Sequence, residues 1–402
     1  MKKKSTVQFL CLILILNSLI IANDWPIWRG PNNNGISNEK NWNPEKIKDL
    51  SLAWKLNVGY GYSAVSVVDG LVFTMGNIDN KDIVYCLDEK TGKEVWRYTY
   101  DCEPWKYAGP QTSPVYDEGK IYTVSKNGIV ICFNAKDGKI IWKRNIMEDH
   151  KIENTKWGIS SSANIKGKYL VINANLAGIT LNKNTGKDFW ISDAGIGSYS
   201  TPVFYTMQDV DYVAIFSAEK LFGVELKTGK VCWNFLWKTS WDINGADPIF
   251  FDNKIFLSSG YKTGCALLDI TDNKPKMIWK NKNIQAQFGS CVLIDGYIYG
   301  PKGNVGKKSS GVSCIDAKTG ELQWEHVIGF SSLIAVDNKL VLVNEKGLLL
   351  IAEVNSKEYK EIAQVQTVET SRRNPVWTAP VLANKRIYVR NHEGDLYSIK
   401  VD

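Results

Sequence analysis

The stretch DEKTGKEVW at residues 88–96 recurs along the chain and decides the fold. Near-copies read NAKDGKIIW at 134–142, NKNTGKDFW at 182–190, ELKTGKVCW at 225–233 and DAKTGELQW at 316–324. Each copy places a Thr-Gly or Asp-Gly pair shortly before a tryptophan. Because glycine adopts a positive φ at little cost, this pair fits a tight hairpin turn. The repeated stretch therefore predicts a turn that leads into a β-strand.

Tryptophan marks the same position in successive repeats, at intervals of 42 to 48 residues. The marked residues are Trp54, Trp96, Trp142, Trp190, Trp233, Trp279 and Trp324. A nearly constant period in this range is typical of solenoids and propellers. One period, residues 113–142, divides into four short apolar segments separated by DEG, KNG and AKDG, which are hairpin turn sequences. Four antiparallel strands in such a period form one propeller blade.

The repeats predict an all-β, eight-bladed propeller of four-stranded antiparallel blades. Seven blades end near the tryptophans at 96 to 324 and, in a degenerate copy, at residues 362–363. The eighth begins at TAPVLAN (378–384) and is one strand short. The segment SLAWKLNV (51–58) carries Trp54 without preceding strands of its own, so it supplies the missing strand. This N-terminal strand closes the ring and removes the sheet edges that an open array would expose.

The chain divides into three parts in this interpretation. Residues 1–22 have the features of a signal peptide: three lysines at 2–4, an apolar segment, and Ala22 before the expected cleavage site. The apolar segment is short for a membrane span. Residues 23–50 form an N-terminal extension, and residues 51–402 form a single propeller. We expect a bacterial periplasmic or secreted protein after signal-peptide cleavage.

Charge and cysteine usage exclude few functions. Without the leader the chain carries 46 basic and 42 acidic residues and no basic stripe, so a nucleic-acid partner is not expected. Seven cysteines remain, an odd number that leaves at least one without an intramolecular partner. Cys86, Cys132 and Cys314 share one repeat position in apolar strands and are predicted to be buried core residues. A disulfide that involves Cys102 stays open.

The repeated tryptophans are predicted to join neighbouring blades. Each lies on the outermost strand of its blade, where a large aromatic ring can pack against the next blade. The Asp or Asn at the head of most turns can accept bonds from nearby backbone N–H groups. The alternative is a ring of ligand-stacking tryptophans, which is disfavoured because these positions lie at the rim, far from the axis.

Turns of the form Asp/Asn-x-x-Thr/Asp-Gly-Lys with a docked tryptophan resemble the PQQ-like β-propeller repeats. The chain is also similar to a secreted bacterial subgroup of PQQ-binding-like repeat proteins over residues 24–402. That similarity is carried by DWPIWRGPNNNGIS (24–37), YDCEPW (100–105), WKTSWDINGADPI (237–249), SSGYKTGCALL (258–268), LIDGYIYG (293–300) and WTAPVLANKRIYVRN (377–391). The resemblance implies a propeller related both to quinoprotein alcohol dehydrogenases and to outer-membrane assembly lipoproteins of the BamB type.

Connections from each outermost strand to the next blade are predicted to share one face of the ring, opposite the Thr-Gly turns. They vary in sequence and gather aromatic and charged residues, as expected for function on a rigid scaffold. The candidate mouth residues are Glu103, Trp105, Trp157, Lys238, Trp241, Asp242, Asn244, Asp247 and Arg373. Their tryptophans could stack on a planar ligand or a sugar, and residues 242, 244 and 247 could offer oxygen ligands to a cation. We prefer the structural alternative, in which aromatic rings fill the funnel while Asp and Asn cap turns.

Quinone chemistry would require features that the sequence largely lacks. The resemblance implies pyrroloquinoline quinone (PQQ) with calcium held by a Glu/Asn/Asp set, a catalytic Asp, and in many members a vicinal Cys pair and a C-x-x-C-H haem site. The vicinal pair and the haem motif are absent, and only residues 242–247 suggest the calcium set. His150, His326 and His392 fall in different blades, which argues against a zinc site or a Ser-His-Asp triad. No catalytic residue is assigned.

The sequence therefore favours a non-catalytic, exported propeller. The leading hypothesis is a monomer that binds a protein or another envelope component through its loop-rich face, in the manner of the BamB type. The alternative is a PQQ-dependent dehydrogenase that acts on a small alcohol or a sugar. A third hypothesis is a propeller that binds a glycan through the mouth tryptophans.

Overall fold

The turn-and-strand repeats form eight four-stranded antiparallel sheets in the computed structural model, which describes residues 23–103 and 107–402. The predicted signal peptide lies outside the described residues. Each sheet is one blade, and its strands follow one another from the axis to the rim. The predicted fold class and the number of blades are confirmed.

Each of blades 1 to 7 takes its four strands from one consecutive stretch of the chain. In blades 1 to 4 they are Ser66–Val68, Leu71–Ile78, Lys81–Asp88 and Glu94–Asp101; Val115–Asp117, Lys120–Val124, Ile129–Asn134 and Ile140–Asn145; Asn164–Lys166, Tyr169–Ile172, Ile179–Asn182 and Asp188–Ile191; Val203–Met207, Val210–Phe216, Lys220–Glu225 and Val231–Leu236. In blades 5 to 7 they are Ile249–Phe251, Lys254–Ser259, Gly264–Asp269 and Lys276–Asn281; Val292–Ile294, Tyr297–Gly303, Gly311–Asp316 and Leu322–Val327; Ser331–Val336, Lys339–Asn344, Leu348–Glu353 and Glu361–Gln366.

Blade 8 is built from both ends of the propeller. Its inner strands are Val381–Ala383, Arg386–Arg390 and Asp395–Lys400, and its outermost strand is Leu52–Asn57. Leu52–Asn57 pairs antiparallel with Asp395–Lys400, with Trp54 opposite Ser398. The predicted closure of the ring by an N-terminal strand is therefore confirmed.

The remaining elements are short. Two-residue strands, Ile36–Ser37 and Gln285–Ala286, add in parallel to blades 7 and 6. The helices are the 3₁₀ segments Pro44–Asp49 and Ser240–Asp242 and the α-helical turn Ile146–His150. No helix in the described part of the chain is long and apolar enough to cross a membrane.

The repeated tryptophans dock onto the turns of the following blades. In five of them the indole Nε1 donates to a backbone carbonyl of the next blade at 2.7–2.9 Å; the pairs are Trp54–Glu89, Trp96–Ala135, Trp142–Lys183, Trp190–Leu226 and Trp324–Asn355. Gly186 shows why the turn needs glycine. Its φ is +69°, and a Cβ there would lie 2.7 Å from the Trp142 ring. The motif thus forms the turn and also provides the surface on which the tryptophan ring of the preceding blade packs.

Two tryptophans depart from this pattern. Trp233 faces the blade 5 turn TDNKP, which has no glycine, and its Nε1 donates to the Tyr205 hydroxyl of its own blade at 3.1 Å. Trp279 seats against Gly320, but its Nε1 has no hydrogen-bond partner among the described residues. The contribution of the hydrogen bond therefore varies around the ring while the packing of the aromatic ring persists.

All seven cysteines in residues 23–103 and 107–402 are free thiols. Cys86, Cys132 and Cys314 are buried in the core, as predicted. Cys102 is also buried and unpaired. Covalent cross-links therefore play no part in holding these blades together, and packing between blades supplies the stability.

Residues 24–37, here called the strap, cross one end of the axial channel. Three backbone contacts and one side-chain bond anchor the strap. The backbone contacts are the Trp25–Val67 bridge to blade 1, the Tyr116 N–H bond to the Pro26 carbonyl, and the parallel pairing of Ile36–Ser37 with Ser331–Val336 of blade 7. The Arg29 guanidinium donates to the Cys291 carbonyl of blade 6. Because blades 2 and 6 stand opposite each other in a ring of eight, the strap spans the axis. It lies at the end where the first strand of each blade turns into the second.

Candidate functional site

A cavity of about 440 Å³ occupies the axis of the ring on the face opposite the strap. Connections that lead from an outermost strand to the next innermost strand supply most of its lining, and the turns between the second and third strands of blades 5 and 6 supply Tyr261 and residues 304, 305 and 307. Its volume falls within the roughly 300–1,000 Å³ of small-molecule sites. The face that the sequence singled out as variable thus contains a concave site.

One position of the repeat supplies much of the wall. Where a proline opens the innermost strand, as at Pro114, Pro202, Pro248 and Pro380, the residue three places earlier lines the cavity. The equivalent residues around the ring are Tyr62, Gln111, Ser160, Tyr199, Gly245, Phe288 and Trp377. Because each repeat enters its innermost strand in the same way, this position faces the axis in every blade listed. The sequence therefore contained a periodic signal for the site.

Aromatic side chains dominate the cavity. They are Trp28, Tyr62, Tyr107, Trp157, Tyr199, Tyr261, Phe288 and Trp377. Tyr62 stacks on Trp377 with a centroid distance of 5.3 Å and an interplanar angle of 13°. Tyr107 lies 5.5 Å from Trp157 and 6.1 Å from Trp377, and Phe288 lies 5.4 Å from Trp377. These rings form a continuous aromatic wall on which a planar or ring-shaped ligand can pack.

The amides in the wall are neutral and held in place by the scaffold. Gln111 donates to a backbone carbonyl of the blade 3 loop at 2.9 Å and accepts from the Ser160 hydroxyl. Gln287 donates to the Tyr261 hydroxyl at 2.9 Å and accepts from a backbone N–H at 3.1 Å. These bonds leave each amide with one N–H and one oxygen lone pair. The cavity thus offers fixed, uncharged donors and acceptors.

Asp247 is the only carboxylate in the wall among the described residues. Its Oδ2 accepts from Trp28 Nε1 of the strap at 2.7 Å, and its Oδ1 accepts from the Thr201 N–H at 2.7 Å. Burial raises the pKa of this carboxyl, while the positive charge of Arg29 acts to lower it. Burial likewise lowers the pKa of Arg29. Asp247 therefore joins the strap to blade 4, and Trp28 forms the floor of the cavity.

The structure places Trp157 and Asp247, from the nine predicted mouth residues, in the cavity wall. Asn244 is fully buried: its Nδ2 donates to the carbonyls of Ser217 and Ala218 at 2.8 and 3.0 Å. Its Oδ1 accepts hydroxyl bonds from residues 239 and 259. Asn244 therefore links the loops around it through its side-chain hydrogen bonds.

The other predicted mouth residues do not line the cavity. Trp241 is 59% exposed, with the Lys156 ammonium 4.2 Å from its ring centroid. Lys238 is exposed and pairs with Glu219 at 2.7 Å. The exposed residues Glu103, Asp242 and Arg373 lie on the surrounding loops. Trp105 lies outside the described residues.

The residues present do not fit a calcium-bound quinone. Ca²⁺ takes about six to eight oxygen ligands, yet Asp242 is exposed, the amide of Asn244 is bonded to the scaffold, and both oxygens of Asp247 already accept hydrogen bonds. No cluster of three or more His, Cys, Asp or Glu side chains suited to a metal occurs in the described residues. The quinone also carries several carboxylates, for which the described lining residues offer a single cationic side chain, the exposed Lys307.

Comparison with curated proteins finds dehydrogenases that match part of the chain. A 1-butanol dehydrogenase (cytochrome c) of Thauera butanivorans is 29% identical over 175 residues, which are 40% of this chain and 24% of that protein. A quinohemoprotein alcohol dehydrogenase of Comamonas testosteroni is 29% identical over 119 residues, 27% of this chain and 16% of that protein. The matches thus span no more than about a quarter of these relatives' length.

Solved structures share the fold at low sequence identity. BamB from Moraxella catarrhalis aligns with a TM-score of 0.65 at 15% identity over 87% of this chain and 99% of that one. The quinohemoprotein alcohol dehydrogenase of Comamonas testosteroni aligns with a TM-score of 0.71 at 15% identity over 94% of this chain and 80% of that one. At these identities the likeness shows the fold alone.

A family model gives the assignment. The model described as outer membrane protein assembly factor BamB matches residues 79–326, which is more than half of the chain. The match covers the blades in which the docked tryptophans and their turns recur. The chain therefore belongs to the PQQ-like β-propeller family that this BamB model describes.

Proposed function

We propose that the protein is a non-catalytic binding protein whose binding site is the aromatic cavity on the loop-rich face. The observation that carries the proposal is the composition of that cavity: its described lining consists mainly of aromatic rings and neutral polar groups, with one carboxylate that is already bonded and one exposed lysine, Lys307. Such a wall can hold a ligand by stacking and hydrogen bonds. The only carboxylate of the described lining, Asp247, already accepts two hydrogen bonds, so it is not free to act as a general base.

We further propose that the ligand belongs to the bacterial envelope. The proposal is supported by the features of a signal peptide in residues 1–22 and by membership of the BamB-described family. The protein would then act in the periplasm or outside the cell.

A quinone-dependent alcohol or sugar dehydrogenase is the second candidate function. It is favoured by the relatives from Thauera and Comamonas, which are dehydrogenases. The described wall residues oppose it, because they offer no set of oxygen ligands for calcium and only one cation, the exposed Lys307, for the several carboxylates of the quinone.

One experiment tests the choice between these functions. The mature chain is incubated with PQQ and Ca²⁺ and assayed with an artificial electron acceptor over a panel of alcohols and sugars. We expect no turnover above that of the cofactor alone. Cofactor-dependent turnover that is lost in Trp377→Ala but kept in Trp241→Ala would overturn the non-catalytic proposal, since only Trp377 lines the cavity.

A further inference from the structure

We infer that the axial cavity binds the terminal residue of a neutral glycan, which enters end-on from the loop-rich face. The inference rests on the proposed function, because it names the ligand class of the same cavity. Three features of the structure support it: the cavity is closed at one end, its walls are aromatic, and most of its polar groups are uncharged. The charged exceptions among the described lining residues are Asp247, whose oxygens already accept hydrogen bonds, and the exposed Lys307.

The strap closes the end of the cavity that faces away from the loops. Trp28 forms the floor and is fixed by its 2.7 Å bond to the buried Asp247. On either side of Trp28 the strap is anchored to opposite blades: the Pro26 carbonyl accepts from the Tyr116 N–H of blade 2, and the Arg29 guanidinium donates to the Cys291 carbonyl of blade 6. A polymer therefore has no path through the axis. A chain-like ligand can place only its end in the cavity.

The aromatic wall suits the faces of a sugar ring. A pyranose presents C–H groups on its faces and hydroxyl groups around its edge, so it packs its faces on aromatic rings. The rings of Tyr107 and Trp377 are inclined at 64°, and those of Tyr107 and Trp157 at 58°. Inclined rings surround a compact ligand from several sides, whereas a flat slot would select a planar one. This geometry favours a saturated ring over a flat cofactor.

The polar groups match hydroxyls. A hydroxyl both donates and accepts, and the Gln111 and Gln287 amides each keep one donor and one acceptor after their bonds to the scaffold. An aliphatic peptide side chain would leave the buried Gln287 and the half-buried Gln111 without partners for these groups, which is unfavourable. A ligand that places a carboxylate deep in the cavity would come close to the buried Asp247, whereas the one cation of the described lining, Lys307, is exposed to solvent. The match is therefore best for a neutral, hydroxyl-rich ligand.

The inference is tested by isothermal titration calorimetry of the mature chain. The probes are neutral monosaccharides and linear oligosaccharides, the corresponding uronic acids, a cyclic oligosaccharide of the same monomer, and short apolar peptides. The variants are Trp377→Ala, which removes a cavity ring, and Gln111→Leu, which removes an amide at nearly constant volume. Trp241→Ala is the matched control, because this tryptophan is exposed outside the cavity.

We expect neutral linear sugars to bind and Trp377→Ala to weaken binding about tenfold or more. Gln111→Leu should weaken it as well, and Trp241→Ala should leave it unchanged. Uronic acids should bind at least about tenfold more weakly than the corresponding neutral sugars. The cyclic oligosaccharide, which has no terminal residue, should bind at least about tenfold more weakly than the linear oligosaccharide of the same monomer. If Trp377→Ala fails to fold, Gln111→Leu decides the test.

The remaining outcomes separate the inference from the proposed function. Binding of peptides but not sugars, with loss in Trp377→Ala, would overturn the glycan inference and leave the cavity as the binding site. Equal affinity for cyclic and linear sugars would overturn end-on entry. If no probe binds, or if the cavity variants change no affinity, both the inference and the proposed function fail.

Discussion

Replacement of Trp142 by alanine tests whether the docked tryptophans hold the blades together. Trp142 is 9% exposed, and its ring covers the turn glycine Gly186 of the next blade. Its Nε1 donates to the Lys183 carbonyl at 2.8 Å. Trp279 occupies the same repeat position and also covers a turn glycine, but it is partly exposed and its Nε1 has no partner in the described residues. The two tryptophans therefore form a matched pair.

The magnitude follows from what each substitution removes. Truncation of a buried tryptophan to alanine costs about 3–5 kcal/mol of unfolding free energy. At Trp142 the lost hydrogen bond adds about 1 kcal/mol. We expect Trp279→Ala to cost less, because its ring is less buried and no hydrogen bond is lost. Trp142→Phe keeps most of the apolar packing, so it should cost about 1–2 kcal/mol.

Urea unfolding followed by far-ultraviolet circular dichroism measures these free energies. Equal m-values for the wild type and the variants are required for the midpoints to report stability alone. If Trp142→Ala lowers the free energy of unfolding no more than Trp279→Ala does, or by less than about 1 kcal/mol, the docked tryptophans do not hold the blades together in this way. A Trp142→Phe variant as unstable as Trp142→Ala would show that ring shape, and not burial, sets the stability.

Three further predictions concern the turn, the response to acid and the strap. Gly186→Ala should lower the urea midpoint more than Gly167→Ala. Both glycines have a positive φ, but a Cβ at 186 would lie 2.7 Å from the Trp142 ring, whereas a Cβ at 167 meets nothing within 4 Å. Equal midpoints for the two variants would contradict the docking geometry. Burial lowers the pKa of His392 from 6.5 to about 4. As the pH drops from 6.5 to 4, this histidine is therefore protonated in the unfolded chain before it is protonated in the folded chain, and the free energy of unfolding should fall by up to about 3 kcal/mol. Unfolding of His392→Phe across that range should lack this part of the loss, and identical pH profiles would exclude the residue as its source. Trp28→Phe removes the bond to Asp247 and should speed amide hydrogen exchange in residues 24–37, measured by mass spectrometry, while blade strands keep their protection; unchanged exchange in the strap would show that its backbone bonds suffice.

The sequence predicts the blades well because the information for each blade is local. A turn glycine, a head residue that caps the turn and a tryptophan lie within nine residues, as in DEKTGKEVW. Ring closure was predictable as well, because a lone tryptophan strand at one end matched an incomplete blade at the other. The blades and the ring closure follow from the number of repeats and from the residues in their turns. Neither requires knowledge of contacts between distant parts of the sequence.

The site was harder to predict because loop composition does not tell which side chains face the axis. Trp241 and Trp157 both lie in aromatic-rich connections, yet only Trp157 lines the cavity. The position three residues before the proline of the innermost strand was the better guide, and it would have identified Trp377 and Tyr199. Trp28 could not be found in this way, because its partner Asp247 is 219 residues away in the sequence.

Blade 8 makes the order of synthesis matter for this fold. The strand Leu52–Asn57 is made early, but its partner Asp395–Lys400 is made after the other seven blades. The strand Leu52–Asn57 therefore stays unpaired, with its backbone donors and acceptors exposed, until the last blade has been synthesised. A chain interrupted before residue 395 keeps open sheet edges on both sides of the gap, and such edges attract other chains. Closure therefore distinguishes a complete chain from a shortened one. The sheet edges of the full-length propeller are covered, whereas those of a shortened chain stay accessible to proteases and chaperones.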